Sequence, residues 1–185
     1  LNSYISVILF SKKQSEKLGF VEEIAYMLFE IGQYRLDIDV PKTRQFYETA
    51  DVVSKSCSCD GCLNFERAVS KLPPVIISFF TNMGIDIKKA CECYVNYADD
   101  DGTLLYGGFY HVCGILLDGT SAWKKMNENT YYWDKEDPFP VSSDFFISFQ
   151  KDIALLEKGF PLPVIQLEFS ARIPWVLEKR NPYQY

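Results

Sequence analysis

The stretch CECYVNYADDDGTLLYGGFYHVCGILL, residues 91–117, decides the fold. Cys91 to Ala98 has the composition of a strand, with apolar and aromatic residues set among polar ones. The acidic run Asp99–Asp101 ends in Gly102, and Asp-Gly supplies the positive φ that a tight turn needs. Thr103 to Leu117 then reads as one long aromatic strand, with Gly107 and Gly108 marking an expected bulge. Together these residues predict a β-hairpin.

Working outward, the segments on either side differ in period. Upstream, Leu28 to Asp39 becomes strictly alternating from Tyr34, as a half-buried strand does. Pro41 opens a helix over residues 42–53. Asp60 caps a second helix over 61–72, and Pro73-Pro74 separates it from a third over 75–83, which Gly84 ends. Downstream, Asp118-Gly119 is a turn. Residues 119–144 show no clear period, and a short helix at 121–126 and a strand at 130–133 are expected within them. Asp144 to Gln150 and Leu162 to Trp175 alternate as strands. One or two helical turns at 152–158 stop at Gly159. Helices cluster early and strands late, without βαβ alternation. That pattern predicts an α+β fold: an antiparallel sheet of about five strands with two to three helices on one face.

With 185 residues the chain suits one domain, and 48% hydrophobic residues supply a core. Residues 27–185 are read as that single α+β domain. Residues 1–26 carry two readings. Glu22-Glu23 stand three codons before Met27, so a GAGGAG coding sequence would resemble a ribosome-binding site read in frame. That makes 1–26 a non-native extension from a mis-called start. The other reading is a lone helix, capped by Ser15 and carrying Leu18, Val21 and Ile24 on one face.

The net charge of −6 and pI near 4.9 argue against nucleic acid as a partner. No apolar run approaches the ~20 residues of a membrane helix. Lys12 and Lys13 follow the first apolar stretch, where a signal peptide would have them precede it. A cytoplasmic location, with no membrane association, is the expectation. Six cysteines in 185 residues are too few for a disulfide scaffold.

Those cysteines carry the chemistry. Cys57, Cys59 and Cys62 lie within six positions, immediately before a helix. Zinc takes four sulfur or nitrogen donors in a tetrahedron, and one short loop commonly supplies two of them. A fourth ligand would come from Cys91, Cys93, His111 or Cys113. Residues i and i+2 of a strand share a face, which pairs Cys91 with Cys93 and His111 with Cys113. A hairpin closing at Asp100-Asp101 sets position 91 near 110 and 93 near 108. Buried, inert thiols are the competing expectation. A Cys–His dyad through His111 would need Cys113 or a cysteine brought across the sheet, while Cys57 or Cys59 would be better placed as a nucleophile. No residue is assigned a catalytic role. The acidic run 99–101 lacks calcium-loop spacing and reads as a solvated turn. The aromatic strand 106–111 is expected to line the core.

The string Cys57 to Phe65, of the form Cys-x-Cys-x-x-Cys-x-Asn-Phe, occurs with Gly84-Ile85-Asp86 and with the run Tyr106 to His111. This combination resembles a group of uncharacterised small bacterial proteins. The likeness runs from about Phe29 to Trp175 and implies a start near Met27. It implies no activity and no ligand assignments.

The functional expectation is a non-enzymatic domain that binds another protein, in the manner of an immunity or regulatory protein facing a basic partner. The alternatives are a zinc-stabilised structural domain built on Cys57, Cys59 and Cys62, and a thiol-dependent enzyme using that cluster.

Overall fold

A computed structural model describes residues 5–8 and 26–184. The fold is α+β. Among the described residues the main sheet has eight strands rather than about five, and there are four helices rather than two to three. The helix expected after Ser15 lies outside the described residues. So does the expected 1–26 extension, apart from Ile5–Ile8 and Tyr26.

Strand β1 (Ile5–Ile8) pairs antiparallel with β2 (Tyr26–Ile31), which pairs with β3 (Tyr34–Asp39). Sequence alternation treated β2 and β3 as one segment. Gly32, at φ +55°, turns the chain between them. Helix α1 (Val40–Thr49) follows, capped by the Asp39 carboxylate, which accepts from the Lys42 N–H at 3.0 Å. It ends earlier than expected, and a separate short turn, α2 (Val53–Ser56), precedes the cysteines. Helices α3 (Asp60–Val69) and α4 (Pro74–Asn82) come next. Gly84 follows the C-cap of α4 at φ +82°, where an added Cβ would lie 2.6 Å from the Val40 carbonyl oxygen.

The decisive hairpin forms as expected, from β4 (Glu92–Ala98) and β5 (Leu104–Asp118). The register Cys93↔Gly108 matches the one deduced from the turn. The irregularity falls at Val95/Tyr97, not at the glycine pair. Gly107 and Gly108 instead make room for two rings: Cβ atoms there would come within 2.7 Å of Tyr94 and 2.8 Å of Phe169. Further on, Trp123–Asn127 is a strand, β6, and not a helix; it pairs with β7 (Thr130–Trp133) as a separate hairpin. Strand β8 (Phe139–Ser142) was not anticipated, and residues 152–158 form no helix. Strands β9 (Phe145–Gln150) and β10 (Val164–Ile173) complete the sheet. Its order is β1-β2-β3-β5-β10-β9-β8, with β4 also on β5. Among the described residues no helix is long and apolar enough to cross a membrane.

The core lies between the sheet and helices α3 and α4. Phe65 stacks on Phe169 at 5.5 Å, and Phe80 packs on Tyr110 and Phe145. Tyr106 and Tyr110 are fully buried, so these members of the aromatic strand are core residues. Helix α1 performs a different task. Strand β4 leaves β5 at Phe109, and β3 joins it only at Gly114. Between those points the Tyr47 hydroxyl donates to the His111 carbonyl at 3.0 Å, and Thr43 Oγ1 accepts from the Cys113 N–H at 3.0 Å. Two side chains thus satisfy backbone groups that a strand would otherwise pair.

Candidate metal centre

Cys57 follows α2, Cys59 is the N-cap of α3, and Cys62 lies in its first turn. Asp60 is the first residue of the helix and not its cap. Instead the Cys59 sulfur accepts from the Cys62 N–H at 3.4 Å. The Sγ atoms of Cys57, Cys59 and Cys62 all lie within 4.8 Å of one another, and those of Cys57 and Cys59 are 3.3 Å apart. These three residues could hold a metal ion.

The start of α3 is fixed onto the sheet. Tyr106 Oη donates to the Gly61 carbonyl at 2.9 Å and accepts from the Asn64 amide at 3.2 Å. Asn64 is fully buried, and it also donates to the Pro174 carbonyl and accepts from the Val176 N–H. The Asn-Phe pair that ends the cysteine motif is therefore structural: Asn64 anchors the C-terminal segment, and Phe65 enters the core. Docked this way, α3 brings Cys62 Sγ to 3.9 Å from Cys93 Sγ. Around a zinc ion with Zn–S bonds near 2.3 Å, tetrahedral sulfurs would stand about 3.8 Å apart.

The triplet and Cys93 span a range of environments. Cys59 is exposed, Cys57 is half-buried, and Cys62 and Cys93 are buried. Partial burial acts to raise the Cys59 thiol, but the N–H groups of Cys62 and Gly61 and the flanking thiols outweigh it, and its pKa falls. Cys57 moves the other way, to about 11: the Cys59 N–H pulls it down, but the thiols of Cys59 and Cys62 prevail. Cys62 is raised strongly, first by its hydrogen bond to Cys93 and then by burial. One thiol, Cys59, is thus poised to ionise first, at a helix N-terminus that favours negative charge.

The remaining candidates do not join this group. Cys91 and Cys93 do not share a face, because β4 begins at Glu92 and leaves Cys91 in a bend. Cys93 turns to Cys62, whereas Cys91 Sγ lies 3.3 Å from His111 Nδ1. The Ala154 carbonyl can only accept, so His111 Nε2, 3.0 Å away, carries the proton and Nδ1 is left to accept from the Cys91 thiol. Burial pushes Cys91 up to about 11 and His111 down, which holds this pair as neutral thiol and neutral imidazole. A Cys–His contact thus exists through a cysteine brought across the sheet, Cys91, and not through Cys113, Cys57 or Cys59. Cys113 is fully buried on β5, its thiol raised to about 11 by burial. The acidic turn is tied locally: Asp101 accepts from the Thr103 N–H at 2.8 Å, and Asp99 pairs with Arg172 at 3.0 Å.

Compared with protein-family models, curated proteins and solved structures, the chain matches none.

Proposed function

We propose that Cys57, Cys59, Cys62 and Cys93 hold one zinc ion and that its role is structural. The observation that carries this reading is the 3.9 Å approach of Cys93 Sγ to Cys62 Sγ, which sets a further sulfur beside one member of the mutually close triplet. Four protein sulfurs close the coordination sphere, as in structural sites, whereas catalytic zinc keeps a position for water or substrate. The ion would join the loop at 57–59, the first turn of α3 and strand β4 at one point. Zinc suits the donor set because thiolates are soft ligands, and the absence of carboxylates among them disfavours magnesium and calcium.

On this reading the domain as a whole is a non-enzymatic, zinc-stapled binding module. A basic protein partner is the complement that the net charge of −6 suggests. The test is metal analysis of the purified chain, with thiol titration before and after a chelator. One zinc per chain, with four thiols becoming titratable on chelation, is the expected result. Metal-free protein with all thiols titratable from the outset contradicts the reading.

A further inference from the structure

On the sheet face opposite α3 and α4, the β6–β7 hairpin stands off β4, β5 and β10. It leaves an open cleft of about 580 Å³. Small-ligand sites commonly measure roughly 300–1,000 Å³. The floor is Tyr94, whose ring fills the space over Gly107. One wall is Trp123, set edge-on to Trp133 with ring centroids 5.4 Å apart. The Trp123 side chain lies beside the Glu168 carboxyl, itself 5% exposed and bonded by the amides of Gln150 and Gln166. Arg172 lines the cleft while held by Asp99. These groups are fixed in place by the protein itself.

Other side chains in the cleft are uncommitted. Asn96, Tyr131, Tyr132 and Lys135 line it, and their side chains have no hydrogen-bond partner among the described residues. Tyr131 and Tyr132 are 56% and 43% exposed. Aromatic rings thus stand beside free donors and acceptors, with the Asp144 carboxylate, which accepts from Ser143 Oγ, also lining the cleft.

We propose that this cleft binds a short neutral oligosaccharide. The C–H faces of sugar rings are apolar and stack on aromatic rings, while their hydroxyls both donate and accept. The cleft offers both counterparts: Lys135 and the Asn96 amide as donors, and Asp144 and the Asn96 carbonyl as acceptors. A proline-rich helix, another ligand of aromatic-lined grooves, lacks an N–H at every proline and so has fewer donors to give those acceptors. Phosphate-rich strands are disfavoured by the net charge of −6. The site lies on the sheet face opposite Cys93 and is independent of the proposed zinc.

The test is an array of immobilised neutral and anionic glycans probed with the full chain. It is followed by tryptophan-fluorescence titration with the strongest neutral glycan and with a proline-rich peptide. The expected result is saturable binding of a neutral glycan, weakened about tenfold or more by Tyr132→Ala and by Asn96→Ala. Trp175→Phe should leave it unchanged, because Trp175 packs on Tyr183 outside the cleft. Exposed Tyr132 can be replaced without touching the core, so circular dichroism of that variant should match the parent. No glycan bound, preference for anionic glycans, tighter binding of the peptide, or indifference to Tyr132→Ala would each overturn the proposal.

Discussion

Cys62 and Cys93 are 31 positions apart in the chain, and their sulfurs are 3.9 Å apart in space. One belongs to the first turn of α3 and the other to β4, so the contact exists only when the helix is docked on the sheet. A metal bound there would couple the docking to its own affinity, because binding energy gained only in the folded state adds to folding.

Removing the fourth sulfur should therefore separate it from the other buried thiols. Cys93→Ser is expected to weaken zinc binding by at least about a hundredfold, the upper range for losing even an outer partner of a ligand. Cys113→Ser, at a buried thiol outside the cluster, should retain the metal. Competition with a chromophoric chelator measures both, and equal losses would remove Cys93 from the ligand set.

Zinc affinity should rise with pH. Cys62 is held protonated, chiefly by its hydrogen bond to Cys93, and Cys57 is raised to about 11, so both must release protons to the solvent when metal binds. Affinities measured between about pH 6 and 8 should increase steadily. A pH-independent affinity would argue against thiolate ligation.

His111 should contribute an acid-sensitive part of the stability. Burial lowers its pKa below the ordinary 6.5. On acidification the unfolded chain then binds a proton that the native state resists, so this contribution is complete above 6.5 and is lost as the pH falls through the native value. Glu168 has the opposite sign. Burial raises its pKa above 4.5, and its contribution, complete below 4.5, is lost as the pH rises through the native value. The difference between parent and His111→Gln in urea unfolding isolates the histidine: it should shrink on acidification below 6.5. A constant difference would mean that His111 does not titrate with unfolding.

Thr43→Val should cost about 1–3 kcal/mol despite its similar shape. The variant leaves the Cys113 N–H without its acceptor in the gap between β4 and β3, where no strand can replace it. Urea denaturation with an unchanged slope would measure that loss, and a neutral substitution would show that the gap admits a compensating water.

The sequence revealed those parts of the architecture that are set by neighbours in the chain. The acidic turn at 99–102 fixed the register of β4 on β5, since Asp-Gly dictates where a hairpin closes. Gly84 ended α4 because only glycine readily takes φ +82° against the Val40 carbonyl. The strand count was harder to read. Gly32 splits an alternating segment whose two halves look alike, and β6 carries charges that resemble a short helix until it pairs with β7.

The cysteine triplet was legible because a short loop and the first turn of a helix hold Cys57, Cys59 and Cys62 together whatever the rest of the chain does. Which of Cys91, Cys93, His111 and Cys113 would come near them was not legible. The rule that i and i+2 share a face holds only inside a strand, and Cys91 lies just outside β4. That single position sends Cys91 to His111 and leaves Cys93 to face Cys62. Local spacing by itself determined that three thiols would cluster. Docking of α3, through Asn64 and Tyr106 onto β5, alone decided which distant sulfur approaches Cys62, because that choice depends on contacts between residues 42 positions apart.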